Sequence, residues 1–116
     1  MSEVVLDASA VLAFINQESG AEAVEEYLND AAISSVNLSE VVAKLIEKGS
    51  SELSVRALIE ELKLEVIAVD EKQAIAAGIL RRSTKSLGLS LGDRLCIVWG
   101  NTLINQLSQP TVNGRS

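Results

Sequence analysis

The sequence predicts a single α/β domain, residues 1–116, in which helices cover both faces of a central parallel β-sheet. Short apolar runs alternate along the chain with segments of helical period. The runs are almost wholly apolar, which is typical of parallel strands that are buried on both faces. A length of 116 residues with 47% hydrophobic content suffices for one core and leaves no room for two.

Each element is recognised from its period and from the residues at its ends. The predicted strands are EVVLD (3–7), AAISSV (31–36) and LEVIAVD (64–70). The predicted helices are ASAVLAFIN (8–16), the linker and helix ESGAEAVEEYLND (18–30), NLSEVVAKLIEKG (37–49), SELSVRALIEELK (51–63), DEKQAIAAGILRRST (70–84) and the segment LSLGDRLCIV (89–98). A final strand is expected in the tail on topological grounds, which gives a sheet of four to five strands.

Composition restricts the chemistry that the chain can perform. The chain has no histidine and one cysteine, Cys96, so Ser–His and Cys–His pairs, the usual zinc sites and an internal disulfide are excluded. A net charge of −6 and an aromatic content of 3% argue against binding nucleic acid by bulk charge or base stacking. Catalysis must therefore depend on carboxylates. With no long apolar segment and no basic leader, a soluble cytoplasmic protein without membrane contact is expected.

Acidic residues occur where parallel strands are expected to end, which is where ligands bind in open α/β sheets. Asp7 closes the first strand, Glu40 follows the second, and Asp93 begins the last predicted helix. Each of them could simply cap a helix, with Asn37 and Ser90 as possible N-caps before Glu40 and Asp93. The two interpretations are compatible, because a helix N-terminus keeps a carboxylate ionised for a divalent cation.

Three blocks of the sequence together carry a family resemblance. The blocks are VVLDASAVLAF, AAISSVNLSEVVAKLIEKG and LEVIAVDEKQAIAAGILRRSTKSLGLSLGDRLC. In this order and spacing they resemble the PIN-domain nucleases, specifically the VapC-type toxins of bacterial toxin–antitoxin pairs. The resemblance implies a three-layer α/β/α fold and a metal-dependent endoribonuclease. It also implies a homodimer and a cognate antitoxin as partners.

The resemblance assigns roles to residues at matching positions. It implies that Asp7, Glu40 and Asp93 hold Mg²⁺ or Mn²⁺ and are catalytic, and that Ser9 orients a carboxylate or a water. Asp70 also matches a family position, but we interpret it mainly as a helix cap and expect it outside the acidic cluster.

Four basic residues near the last acidic block are candidates for contacting the RNA phosphate backbone. They are Arg81, Arg82, Lys85 and Arg94. The alternative is that they are solvated charges at helix ends.

The tail from about residue 99 to 116 differs from the rest of the chain. No acidic residue follows Asp93, whereas the family pattern has a fourth acid in a Thr-Ala-Asp block, and the nearest candidates, Asn113 and Ser116, carry no charge. Thr-Ala-Asp-Arg can be encoded by the bases ACG GCA GAT CG. With an A in front and read one base earlier, the same bases give AAC GGC AGA TCG, which encodes Asn-Gly-Arg-Ser, the sequence of residues 113–116. We therefore hypothesise that the tail is truncated or read out of frame.

The missing acid leaves a second function open, that of a catalytically impaired PIN domain that binds RNA or a partner without cleavage. A phosphatase of the haloacid dehalogenase type is disfavoured, because Asp7 is followed by Ala8 and Ser9 rather than by a second aspartate. A phosphotransfer receiver is disfavoured too, because no acidic pair lies near the first strand.

Overall fold

The computed structural model describes residues 4–18 and 20–100. In chain order the elements are β1 (Val4–Leu6), α1 (Ala8–Ile15), α2 (Ala21–Tyr27), a 3₁₀ turn (Leu28–Asp30), β2 (Ala31–Ser34), α3 (Ser35–Glu47), α4 (Glu52–Leu62), β3 (Glu65–Ile67), α5 (Glu71–Thr84), a second 3₁₀ turn (Lys85–Leu87) and α6 (Leu91–Trp99). Every helix predicted from the sequence is present, with boundaries shifted by a few residues.

The described strands form one parallel sheet in the order β1–β2–β3. Leu6 lies opposite Ile33 in the first pair of strands, and Ile33 lies opposite Val66 in the second. All four residues of the central strand β2 are buried, whereas Val66 on the edge strand β3 is half exposed. The predicted α/β class with a parallel sheet is therefore confirmed.

Residues 4–18 and 20–100 contain three strands, fewer than the four to five that the sequence predicts for the whole domain. Only three apolar runs have the strand pattern, and the additional strand was inferred from topology rather than from residues of that kind. The predicted final strand falls within 101–116 and lies outside the described residues.

Side-chain caps fix where the helices after the strands begin. Asp7 Oδ1 accepts the Ala10 N–H at 2.9 Å at the start of α1, and Asp70 and Gln73 form a reciprocal capping box on α5. Each cap satisfies a backbone N–H that has no partner within the helix. The interpretations of Asp7 and Asp70 as caps are confirmed.

The predicted start of α3 at Asn37 is wrong. Ser34, the last residue of β2, is the N-cap, because its hydroxyl accepts the Asn37 N–H at 2.9 Å. The helix therefore begins at Ser35, and Glu40 lies in its second turn. Since no capping contact involves Glu40, helix capping does not explain this acid.

The core lies between the sheet and the helices that follow β1 and β2. Its buried members are Val4, Leu6, Ala10, Val11, Val24, Ala31, Ile33, Val41, Leu45 and Val55. None of the helices in the described part of the chain combines the length and the apolar character that a membrane span requires.

Arg94 is buried in α6 and connects that helix to α5. Its Nε donates to the Ala77 carbonyl at 3.0 Å, and a terminal guanidinium nitrogen donates to the Leu89 carbonyl at 3.1 Å. Hydrogen bonds from a charged donor to buried carbonyls are stronger than neutral ones. These bonds explain why an arginine occurs among the buried residues of a mostly apolar helix.

We expect Arg94→Met to lower the free energy of unfolding by about 1–3 kcal/mol, because it removes both charged hydrogen bonds and keeps most of the aliphatic packing. The matched control is Arg81→Met on α5, whose side chain is exposed, with an expected change within about 0.5 kcal/mol. Urea unfolding measures both. Equal effects of the two substitutions would show that the buried guanidinium does not stabilise the fold.

Candidate functional site

A cleft of about 280 Å³ lies at the carboxyl end of the sheet, where α1, α3 and the start of α6 meet. Its acidic lining residues are Glu40, Glu47 and Asp93. The remaining lining residues are Ala8, Ser9, Leu12, Ala43, Lys44 and Ser90. Two of the three acids predicted to form the site therefore open onto one cleft.

Glu40 and Asp93 interact electrostatically across this cleft. Burial raises the pKa of the Glu40 carboxyl, and the nearby charge of Asp93 raises it further. A hydrogen bond from Ser90 and the positive charge of Lys44 oppose this rise in the pKa. The net rise shows that neighbouring residues do not fully offset the cost of ionising Glu40.

Ser90 connects the two carboxylates. Its backbone N–H donates to Asp93 Oδ2 at 3.0 Å, its hydroxyl oxygen accepts the Asp93 N–H at 3.1 Å, and its side chain also hydrogen-bonds Glu40. The first two contacts are the capping box that begins α6, as the sequence predicts. The same local structure that starts the helix therefore fixes the direction of the Asp93 carboxylate.

Asp7 is buried beside the cleft and is not among its lining residues. Asp7 and the other two acids all influence the pKa of the same residue, Cys96 on α6. Burial is the main cause that raises the pKa of the Cys96 thiol to about 12, and the charge of Asp7 is the next. Asp93 and Glu40 raise this pKa as well, while a hydrogen bond from Asn37 opposes them. All three predicted acids therefore act on one buried thiol, which stays protonated and unreactive at neutral pH.

The cleft depends on a close approach between α3 and α6. A Cβ atom on Gly92 would lie 2.5 Å from Glu40 Oε1 and closer still to Asn37 Oδ1. Such distances are shorter than van der Waals contact, so any larger residue would force the helices apart or displace these side chains. Glycine at position 92 allows the first turn of α6 to reach Glu40.

The donor set of the cleft suits a hard divalent cation. Mg²⁺ and Mn²⁺ prefer oxygen ligands, and a cation between Glu40 and Asp93 would relieve the repulsion that contributes to the raised pKa of Glu40. Within the described residues, however, no three Asp, Glu, His or Cys side chains are close enough together to enclose a metal ion. The direct sharing of one ion by Asp7, Glu40 and Asp93 stays a prediction.

The other predicted site residues lie in three different environments. Ser9 is exposed on the cleft wall, whereas Asp70 caps α5 and does not line the cleft. The three basic residues Arg81, Arg82 and Lys85 are exposed on the last turn of α5 and the 3₁₀ turn that follows. Arg94 differs from these three because its buried guanidinium is bonded to backbone carbonyls, so its predicted phosphate contact is at odds with its position.

Several residues of the site were not identified as such from the sequence. Ser90 and Asn37 were considered only as helix caps, and Gly92 was not considered. Lys44 could have been found from its spacing, because residues four apart on a helix are neighbours and Lys44 follows Glu40 by four. The role of Gly92 depends on contacts between distant segments, which no local pattern indicates.

A comparison with protein-family models gave a match to the PIN domain over residues 4–99. The match includes every described element and ends before the tail. No match was found among the curated proteins with which the chain was compared.

We expect the Glu40→Gln protein to have a higher free energy of unfolding than the wild type at about pH 7. At about pH 4 this difference should be smaller. Because the folded-state pKa of Glu40 is raised, wild-type stability is lost as pH rises from the ordinary pKa of 4.5 through the raised value, and a neutral glutamine avoids this loss. The gain should stay below about 1 kcal/mol, since Glu40 is only half buried and solvent screens its charge.

Urea unfolding at both pH values measures this effect, with Glu61→Gln on the exposed side of α4 as the control. A Glu40→Gln protein that is less stable than the wild type at neutral pH would contradict the electrostatic description of the cleft.

Proposed function

The chain belongs to the PIN-domain family, a family of metal-dependent nucleases, and from this premise we propose that it is an endoribonuclease toxin of the VapC type. The proposed reaction is the hydrolysis of RNA phosphodiester bonds with Mg²⁺ or Mn²⁺. The observation that carries the proposal is the Glu40–Asp93 pair, which opens onto a cleft at the carboxyl end of the parallel sheet.

The proposed roles follow from the position of each side chain. Glu40 and Asp93 hold the cation from two sides of the cleft. Asp7, which is buried beside the cleft, adds negative charge to the site. The bound ion would neutralise the scissile phosphate and lower the pKa of a water molecule that attacks it. Ser90 orients Asp93 and Glu40 through its hydrogen bonds, and Ser9 is available to orient a carboxylate or a water at the cleft wall.

Exposed basic residues supply the proposed contacts with the RNA backbone. Arg81, Arg82 and Lys85 lie close together in sequence at the end of α5 and the following turn, and their side chains are exposed. Phosphate contacts of this kind position a substrate without reading its sequence. Arg94 is not included, because its guanidinium has a structural role.

A protein partner and a second copy of the chain are further parts of the proposal. Ile75 and Ile79 on α5 and Leu87 after it are large apolar residues that are exposed by more than half. Exposed apolar residues that form one patch are typical of surfaces that contact other proteins, and we propose that these three residues contribute to such a contact. The acidic cleft would attract an arginine of an antitoxin, which would exclude RNA by charge pairing.

We expect the chain to behave as a homodimer in light scattering and to copurify with the product of an adjacent antitoxin gene. Ile79→Glu should shift the dimer toward the monomer, because it introduces a charge into an apolar contact. Leu53→Glu, which changes an apolar residue on α4 that is even more exposed than Ile79, is the control and should leave the mass unchanged. A monomeric wild type at every tested concentration would exclude the dimer.

The second candidate function is a PIN domain that binds RNA or a partner but does not cleave. The observation that favours it is the absence of any acidic residue after Asp93, so the fourth carboxylate of the family pattern is missing from the sequence. A site that lacks one carboxylate should bind Mg²⁺ more weakly.

A ribonuclease assay with Mg²⁺ or Mn²⁺, and with EDTA as the metal-free reference, tests the proposed activity. We expect Asp7→Asn, Glu40→Gln and Asp93→Asn each to lower the cleavage rate by about 100-fold or more, because each removes charge that holds the cation. The matched control is Asp70→Asn. Asparagine is as good an N-cap as aspartate, so Asp70→Asn should keep both fold and activity.

A chain whose reading frame is restored to Thr-Ala-Asp-Arg in the tail separates the two candidate functions. We expect the restored chain to cleave faster than the chain as it stands. Cleavage that persists in EDTA, or that survives loss of both Glu40 and Asp93, would exclude the proposed mechanism. Equal rates for the two chains would exclude the reading-frame hypothesis, and cleavage by neither would favour the binding module.

A further inference from the structure

Asn37 is a fully buried polar residue on α3 whose side chain contacts α6. Its Nδ2 donates to the Gly92 carbonyl at 3.4 Å and to Cys96 Sγ at 3.4 Å, and within its own helix it donates to Ser34 Oγ at 3.1 Å. Its Oδ1 is buried without a conventional hydrogen-bond partner in the described structure. A buried amide with one unsatisfied atom is costly, so a functional or packing reason is expected.

The position of Asn37 Oδ1 indicates what that reason is. This oxygen is the atom closest to the place where a Cβ on Gly92 would lie, so it faces the Cα–H of Gly92. A Cα–H can act as a weak donor to a carbonyl oxygen. The two ends of the Asn37 amide therefore contact the same residue, Nδ2 at its carbonyl and Oδ1 at its Cα.

Both partners of this contact lie next to an acid of the cleft. Gly92 directly precedes Asp93, and Asn37 precedes Glu40 by three residues, so that Asn37 and Glu40 share one face of α3. Glu40 Oε1 is itself close to Gly92. Any change in the distance from Asn37 to Gly92 would therefore change the distance between the two carboxylates.

We propose that Asn37 is a positioning residue, whose amide holds Gly92 and thereby sets the separation of Glu40 and Asp93 for a divalent cation. The inference rests on the proposed function, because it assumes that this pair binds the ion. Asn37 itself would not touch the ion or the substrate. Its contribution is to fix the first turn of α6 against α3.

The first test is the affinity of the full-length protein for Mn²⁺, measured by the electron paramagnetic resonance of free Mn²⁺. Asn37→Leu keeps a similar volume but removes the amide, and we expect it to weaken Mn²⁺ binding by about tenfold or more. The control is Val55→Ala, a buried substitution on α4 that destabilises the core and changes neither α3 nor α6 in sequence. It should change the affinity by less than about twofold. If Asn37→Leu does not fold, Asn37→Ser replaces it with the same expectation.

The second test does not depend on a metal. Gly92→Ala should lower the folding equilibrium constant by about 100-fold in the wild-type background, since its Cβ would overlap the Asn37 amide. In an Asn37→Ala background the overlap with the amide is gone. Of the atoms nearest to the added methyl only Glu40 Oε1, at the end of a flexible side chain, then has to move, so the same substitution should cost about tenfold or less. Hydrogen exchange of the Asp93 and Arg94 amides should be faster in Asn37→Leu than in Val55→Ala.

The outcomes distinguish this inference from the proposed function. Wild-type protein that binds no Mn²⁺ would overturn the proposed function, and the stability cycle and the amide exchange would then decide the positioning role alone. Mn²⁺ binding that is equally strong in wild type and Asn37→Leu would overturn the positioning role and leave the nuclease proposal intact. Additive effects of Asn37→Ala and Gly92→Ala would also overturn it.

Discussion

The close packing of α6 against α3 at Gly92 is the constraint on which the candidate site depends. Glu40 and Asp93 are 53 residues apart in sequence and lie on different helices, and the packing of α6 against α3 brings them to one cleft. The contact requires a residue without a Cβ, because Asn37 and Glu40 already occupy the space beside the Gly92 backbone. The geometry of the acidic pair is therefore determined by the packing of two helices more than by either acid alone.

The same residues stabilise the fold and build the site. Asp7 begins α1 and Asp93 completes the capping box of α6, so each carboxylate is fixed by backbone N–H groups that a helix start leaves without partners. Glu40 has no such local role, and its raised pKa shows that its position costs energy when it is ionised. A partly buried acid that caps no helix and lies beside a second acid is the strongest indication of function in this structure.

Local pattern predicted most of the fold, and two of the three principal acids line the predicted cleft. The parallel sheet followed from apolar runs such as AAIS in β2, and the caps at Asp7 and Asp70 followed from residue type and spacing. The errors arose where a neighbouring residue competes for the same capping position, or where contacts between distant segments decide whether a side chain is buried. Ser34 replaced Asn37 as the cap of α3 because a serine at the end of a strand already offers its hydroxyl. The burial of Arg94 was missed because its partner, the Ala77 carbonyl, lies 17 positions away in sequence. No local pattern indicates such a contact.

In the function that we propose, Glu40 and Asp93 hold a divalent cation between α3 and α6. Its most direct test is a crystal of the protein grown with Mn²⁺, with diffraction data collected at a wavelength where manganese scatters anomalously. We expect an anomalous peak within coordination distance, roughly 2.0–2.4 Å, of carboxylate oxygens of both Glu40 and Asp93. A cleft without a peak at saturating Mn²⁺, or manganese bound only at other acidic residues, would contradict it.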